Sequence, residues 1–310
     1  MFGHRGEDLV LVLTFDHKAS YEPRDYHKIY YLYRKDVPEK LINVKYVKMF
    51  GDTIQGHIPK EEIDWEEKIR KYRYTGGYAN FHLMRFSKGL YIDQFPVWGQ
   101  YKDAPANDDV YNYFINECGN DRYGQHTKTF VKQRPYTLFA LQMTARKDFK
   151  ETVKYIAWAT KSKTYTIFKT HPCAGGGTDY KGLWAYCKNK GILSEYTQLA
   201  DGYHSEELVK NCDRFVSVDS GLTFKALLQD KPTCTLRGPS MTTDIIPLVE
   251  TDDSILDVKA VDEKQKLKWL NWFYNRVCLD YHKDDYAEKT LEKLYKYEKK
   301  GLTDYEVHQW

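Results

Sequence analysis

Two short segments carry residue types suited to holding an anion. Lys169-Thr170-His171-Pro172 closes the run TYTIFKT and leads into Ala174-Gly175-Gly176-Gly177. A histidine fixed by proline, beside a lysine and a turn rich in backbone N–H groups, makes a phosphate cradle at the start of a helix. The same residues also suit a plain tight connection, so this segment alone is a weak signal. Further along, VSVDSGLTFKALLQDKP reads as a strand, then Asp219-Ser220-Gly221, then a helix. Ser220 is an N-cap candidate whose hydroxyl would face the same sheet edge as His171, with Gly221 beside it. Two anion-compatible strand ends thereby converge, each with an ordinary structural reading as a turn or cap.

Other chemistries lack their anchors. The chain has no G-x-x-x-x-G-K-[ST], no G-x-G-x-x-G after its first apolar run and no G-x-S-x-G elbow. No D-x-D suited to a metal-bridged diphosphate accompanies His171 and Ser220, so neither a metal nor another cofactor is expected.

The elements that would position these residues are α/β. Leu9 to Phe15 (LVLVLTF) is a continuous apolar run of strand length opening onto Asp16-His17, the pattern of a strand buried on both faces. Strands follow at Lys28 to Tyr33, Val44 to Met49 and Gly89 to Asp93, with a helix at Asp64 to Tyr74 stopped by Thr75-Gly76-Gly77. A polar stretch with prolines runs through Tyr101 to Asp109 and Gln133-Arg134-Pro135. From Tyr136 strands and helices alternate: TLFALQ, a helix from Asp148 to Thr160, TYTIFKT, and a helix from Thr178 to Lys190. A short strand at Tyr196 to Leu199, helix Ser205 to Asn211, RFVSV, helix Leu222 to Gln229 and PTCTL continue the series. That alternation means βαβ units and a parallel sheet. Helices are expected again at Lys264 to Tyr274 and Tyr286 to Lys300. The expectation is two Rossmann-like domains, residues 1–134 and 135–310, facing each other across a cleft.

Composition agrees with two folded lobes: 310 residues exceed the size at which a single core stops growing, and 42% are hydrophobic. The net charge of +3 is well short of a dedicated nucleic-acid-binding module. Six cysteines without C-x-x-C spacing argue against a zinc site or a disulfide framework. No apolar run reaches the length of a signal h-region or a membrane span, so a soluble, cytoplasmic protein with reduced thiols is expected. The 27 tyrosines suit surfaces that grip sugars or bases, or simply an aromatic-rich core.

The ordered segments LFALQMTARKD, FKTHP and VDSGLTFKALLQDKP resemble the C-terminal half of the capsule polysaccharide biosynthesis, Kdo-transferase-like glycosyltransferases of GT-B architecture. The resemblance covers roughly residues 136–250 and is faint in the N-terminal half. It implies that His171 and Pro172 bind a donor phosphate with Lys169 alongside, that Ser220 and Gly221 meet the same phosphate, and that Gln142 lines the nucleotide cleft. The sequence departs from the family at Lys225, where a glutamate is usual, and at Thr223, where a glycine is. Lys225 could answer a second phosphate, which makes a UDP-sugar as credible as the CMP-sugar of the Kdo enzymes, or it could point into solvent.

The family's general base is an acid before a glycine in the first lobe. Asp93 in YIDQFPVWG is the nearest equivalent, without the glycine, and Asp16 is its rival. Lys68 to Lys88 interleaves Arg70, Lys71, Arg73, Arg85 and Lys88 with Tyr72, Tyr74, Tyr78 and Phe86 and contains no acid. Such a stretch suits phosphates and unpaired bases, or is an ordinary basic face. The Lys-, Tyr- and Asp-rich texture is similar to that of large-phage proteins, and such phages glycosylate hydroxymethylated pyrimidines in their own DNA. Acceptor DNA, met through Arg70, Lys71, Arg73 and Tyr74 in the host cytoplasm, is therefore the favoured expectation. A surface glycan is the alternative acceptor, and a non-catalytic sugar- or nucleotide-binding protein is a third reading.

Overall fold

The computed structural model describes residues 9–16, 27–33, 47–50, 53–54, 72–78, 83–88, 100–117, 128–141, 145–171, 178–218, 220–236 and 244–280, with scattered positions from 289 to 310. Two compact units emerge: Met1–Ala104 together with Asn271–Trp310, and Pro105–Leu270. Residue 134, the boundary read from the sequence, lies within the second unit.

In the first unit β1 (Leu9–Asp16) lies between β2 (His27–Tyr33), antiparallel to it, and β3 (Val47–Phe50), parallel to it; β4 (Thr53–Ile54) completes this sheet. The apolar run of β1 thus occupies an interior strand, as its composition required. β5 (Tyr72–Tyr78) and β6 (Leu83–Lys88) pair as an antiparallel hairpin in a second sheet. This corrects the helix expected over Asp64 to Tyr74 at its C-terminal end. Tyr72-Arg73-Tyr74 alternates aromatic and basic residues with the period of a pleated strand, and Thr75-Gly76-Gly77 continues the strand.

The second unit begins with a helix that the sequence reading missed, α1 (Asp108–Glu117). Asn107 caps it: its Oδ1 accepts the N–H groups of Asp109 at 2.9 Å and Val110 at 3.4 Å. The parallel sheet follows, from β7 (Thr137–Ala140), α2 (Ala145–Lys161), β8 (Thr166–Lys169), α3 (Thr178–Asn189) and β9 (Thr197–Ala200). It continues through α4 (Ser205–Asn211), β10 (Arg214–Ser217), α5 (Leu222–Leu228) and β11 (Thr233–Thr235). Strand order is β11-β10-β7-β8-β9, all parallel.

Strand side chains alternate between two cores. Phe139, Phe168 and Val216 pack with Tyr155 and Ile156 of α2 and Tyr180 and Leu183 of α3. Leu138, Ile167 and Phe215 pack on the other face with Leu208 and Val209 of α4 and Ala226 of α5. Burial on both faces is why these strands read as unbroken apolar runs. Each large side chain so buried contributes about 1.5–3 kcal/mol.

Two later elements complete the packing. α6 (Ser254–Asp257) is short, and α7 (Glu263–Trp272) places Trp269 against Phe224 of α5, which also meets Phe114 of α1 edge-on. The buried Lys266 of α7 sits 4.6 Å from the Tyr111 ring centre and 2.5 Å from Asp230 Oδ1. The Tyr111 hydroxyl donates to Leu228 O at 3.2 Å. Asp230 holds this place with φ of 54°, a left-handed conformation that aspartate tolerates better than most residues.

Beyond α7 the chain forms a π-helical turn, Phe273–Val277, and then β12 (Cys278–Asp280), antiparallel to β6. Lys293, largely buried, donates its ammonium to the carbonyls of Arg276 and Val277 and so closes the wide turn.

Candidate functional site

The order of strands fixes where a ligand can meet the parallel sheet. From β7 the chain moves to β8 and β9 on one side; it then returns to β10 on the other side of β7 and continues outward to β11. Connections therefore leave β7 and β10 in opposite directions, and the crevice outside their C-terminal ends is the topological switch point where such sheets bind ligands. Ser220 follows β10 at this point, and His171 follows β8, on the other side of β7.

The β8 end is built from its last residues. Lys169 is 3% exposed and donates from Nζ to Thr170 O at 2.6 Å. The Thr170 hydroxyl donates to Asp201 Oδ1 at 2.9 Å, tying the loop after β8 to the loop after β9. His171 is half-buried, and its pKa lies below the ordinary histidine value, first because burial disfavours the imidazolium and second because the Lys169 ammonium repels it. At neutral pH the imidazole is neutral, beside a buried cation. That combination gives an anion a positive neighbour and a ring able to donate or accept.

At the β10 end, Ser217 Oγ and Thr223 Oγ1 form a buried hydrogen bond of 2.9 Å. The glycine that the resemblance leads one to expect in place of Thr223 could not make this bond. The expected cap is corrected: Gly221 holds the N-cap position of α5 without a side-chain bond. The Ser220 hydroxyl instead accepts the Leu222 N–H at 3.3 Å, and the Ser220 carbonyl accepts the Thr223 N–H at 3.0 Å. A serine oxygen bonding two residues ahead is a local turn that competes with capping. It leaves the O–H hydrogen to act as donor.

Lys225 does not extend alone into solvent. Its ammonium pairs with the Glu206 carboxylate of α4, both being mostly buried at 16% and 24% exposure. Glu206, Ser217 and Asp201 were not singled out by the sequence reading. The signal for Glu206 was an acid in the first turn of one helix and a lysine in the next, which only the pairing of α4 with α5 connects.

The remaining expected residues divide in two. Asp93, Gln142, Pro172, Arg70 and Lys71 lie outside the described residues. Asp16 is the last residue of β1, and Arg73 and Tyr74 stand on β5 opposite Ser87 and Phe86 of β6. The basic-aromatic stretch is thus, in its described part, a hairpin. Among the described residues no three His, Cys, Asp or Glu side chains gather as a metal site, and no helix is long and apolar enough to cross a membrane.

Comparison with known proteins sets this site in context. Residues 47–243 match the family described as capsule polysaccharide biosynthesis protein. No curated protein sequence matches the chain. Among solved structures it is similar to the Thermosulfurimonas dismutans KpsC beta Kdo 2,4 transferase, with 14% identity, a TM-score of 0.41, and 76% of this chain and 86% of that one covered. The beta Kdo 2,7 transferase of the same KpsC is similar at 12% identity and a TM-score of 0.39, over 73% and 77% of the two chains. The Methanocaldococcus jannaschii UDP-GlcNAc 2-epimerase, in complex with UDP-GlcNAc and UDP, gives 15% identity and a TM-score of 0.31 over 64% of this chain. The chain spans about half, 50%, of that epimerase's length. With more than half of its residues matched, the chain belongs to the capsule polysaccharide biosynthesis protein family, the one that its Lys-x-His-Pro and Ser220 segments resemble.

Proposed function

We propose that the protein is a nucleotide-sugar-dependent glycosyltransferase of the capsule and Kdo-transferase type, which binds the donor phosphate between His171 and Ser220. The observation that carries this reading is the placement of both residues at C-terminal strand ends, one on each side of β7. Two strand spacings separate the strand ends that carry them, roughly 10 Å, a gap that a phosphate would bridge if the imidazole and the hydroxyl both turn towards it. Lys169 offsets the phosphate charge from below, and the Ser220 O–H donates while its oxygen accepts from Leu222.

In the reaction an acceptor hydroxyl attacks the anomeric carbon of the donor sugar. The new C–O bond forms as the bond to phosphate breaks, and the nucleotide leaves with the electron pair. The hydroxyl proton passes to a carboxylate, for which Asp93 is proposed and Asp16 is the rival. UDP- and CMP-sugars both fit this scheme, and no metal is assigned a step.

Family membership favours a surface glycan as acceptor over the hydroxymethylated pyrimidine of phage DNA. Arg73 and Tyr74 on the β5–β6 hairpin are the feature that still speaks for DNA. Incubation with UDP- or CMP-sugars and either a Kdo-type glycolipid or hydroxymethylcytosine DNA, read as released nucleotide and product mass, decides the matter. Transfer to glycolipid alone is the expected result. Transfer to DNA alone would reverse the acceptor assignment, and nucleotide binding without transfer to any glycan would leave a binding protein.

A further inference from the structure

Thr170, the residue before His171, is held from three sides. Its N–H donates to Ala200 O, at the end of β9, at 3.2 Å. Its carbonyl accepts from Lys169 Nζ at 2.6 Å. Its hydroxyl donates to Asp201 Oδ1 at 2.9 Å and also approaches Ala200 O at 3.4 Å. Because the peptide unit is planar, a fixed carbonyl oxygen also fixes the nitrogen that follows it, which belongs to His171. Pro172 restricts His171 from the other side, since a residue before proline is confined to extended backbone. The imidazole therefore starts from a backbone with little freedom, although the glycine-rich stretch Ala174-Gly175-Gly176-Gly177 follows.

The partner in this arrangement is itself braced. Asp201 and Gly202 are the first two residues after β9, and Gly202 has φ of 78°, a left-handed conformation that favours glycine. Lys128 straps the pair: its N–H donates to Gly202 O at 3.2 Å, and its ammonium donates to Asp201 O at 2.9 Å and lies 5.5 Å from the Tyr203 ring centre. Thr170 is buried and Asp201 is exposed. An exposed carboxylate that loses this bond is hydrated instead, so breaking it leaves no unpaired acceptor in the core. Burial and the Lys169 ammonium hold the His171 pKa down, whereas a carboxylate facing the ring would push it up, so Asp201 is placed to act through Thr170.

We propose that Asp201 and Thr170 are a positioning pair for His171, holding the backbone from which its imidazole reaches the donor phosphate. The proposal rests on the donor-phosphate reading above. A segment already ordered in its bound conformation loses less freedom on binding, and affinity rises accordingly.

Calorimetric titration of UDP and of CMP into the full chain tests it, with Thr170→Val, Thr170→Ser, Asp201→Ala and Asp201→Asn each made in the wild-type and His171→Ala backgrounds. Thr170→Val keeps the shape of a buried side chain, and Asp201→Ala changes an exposed one, so the second variant guards against a folding defect in the first. Each should weaken both nucleotides by about 3- to 10-fold, the scale of one hydrogen bond. Thr170→Ser keeps the hydroxyl and Asp201→Asn keeps an acceptor, and both should retain wild-type affinity. In the His171→Ala background, Thr170→Val and Asp201→Ala should cause no further loss, because the group they orient is gone. An equal loss in that background would make the bond a scaffold feature independent of His171 and overturn the positioning role. Full affinity in Thr170→Val and Asp201→Ala, beside a His171→Ala variant that binds weakly, would overturn it as well and spare the phosphate site. A His171→Ala variant that binds like wild type would overturn both readings.

Discussion

The hydroxyls of Ser217 and Thr223, 2.9 Å apart and buried, join the last residue of β10 to the first turn of α5 across the turn that carries Ser220. Thr223→Val removes one hydroxyl at nearly constant volume and strands the other. Denaturant unfolding should show a loss of about 1–3 kcal/mol, with the double variant Ser217→Ala/Thr223→Val less affected than the sum of the singles, because no unpaired polar group remains. Donor affinity should fall in Thr223→Val as well, since Ser220 loses its anchor.

His171→Ala and Ser220→Ala should each weaken donor-nucleotide binding by about 1.5–3 kcal/mol, the range for hydrogen bonds to charged groups. Titration calorimetry reads this directly. Wild-type affinity in either variant would move the phosphate site elsewhere. EDTA should leave binding unchanged.

The depressed pKa of His171 sets the sign of two pH effects. In the unliganded fold the imidazole resists protonation more than it does in the unfolded chain. Between the depressed folded value and the unfolded value near 6.5, the unfolded state holds more protons, so this group's contribution to stability falls as pH drops through that window. A bound phosphate reverses the local charge and raises the pKa. Nucleotide binding should therefore take up protons and strengthen as pH falls from 8 towards 6, and His171→Gln should abolish the uptake.

Asp230 combines a left-handed backbone with the partner carboxylate of buried Lys266. Asp230→Asn keeps an acceptor and tolerates φ above zero, whereas Asp230→Ala loses the acceptor and strains the backbone. Thermal unfolding should rank Ala below Asn by about 1–2 kcal/mol. Equal stabilities would mean that the contact with Asp230 contributes nothing.

Burial pushes the thiols of Cys187, Cys212 and Cys234 up to about 11, 12 and 12. All three are free and buried. They should resist alkylation at pH 8 until the protein is unfolded, as peptide mapping after iodoacetamide would show.

The second unit was legible in the sequence because its strands are buried on both faces and its helices are bounded by turn residues. TLFA, TIFK and RFVS could be placed to within a residue or two for that reason. α1 was missed because its start, Asn107-Asp108-Asp109, lies in a proline-containing polar stretch and only Asn107 announces the cap. The hairpin of β5 and β6 was read as a helix at its start because Lys and Arg spacing along Lys68 to Arg73 mimics a helical face. Within the site, His171 and Ser220 could be found from their strand ends. Glu206 could not: its partner Lys225 lies on the next helix, and nothing local to either residue reports that α4 and α5 share a face of the sheet.

The π-helical turn at Phe273–Val277 sets more than the direction of the chain. Its wider winding accommodates an extra residue before β12, whose register with β6 pairs Cys278 with Arg85. Successive strand residues point to opposite faces, so deleting one residue from the turn would shift β12 by one place and turn the buried Cys278 outward. Lys293, which closes the turn, thus serves as a counting device: it fixes how many residues are spent before the strand begins.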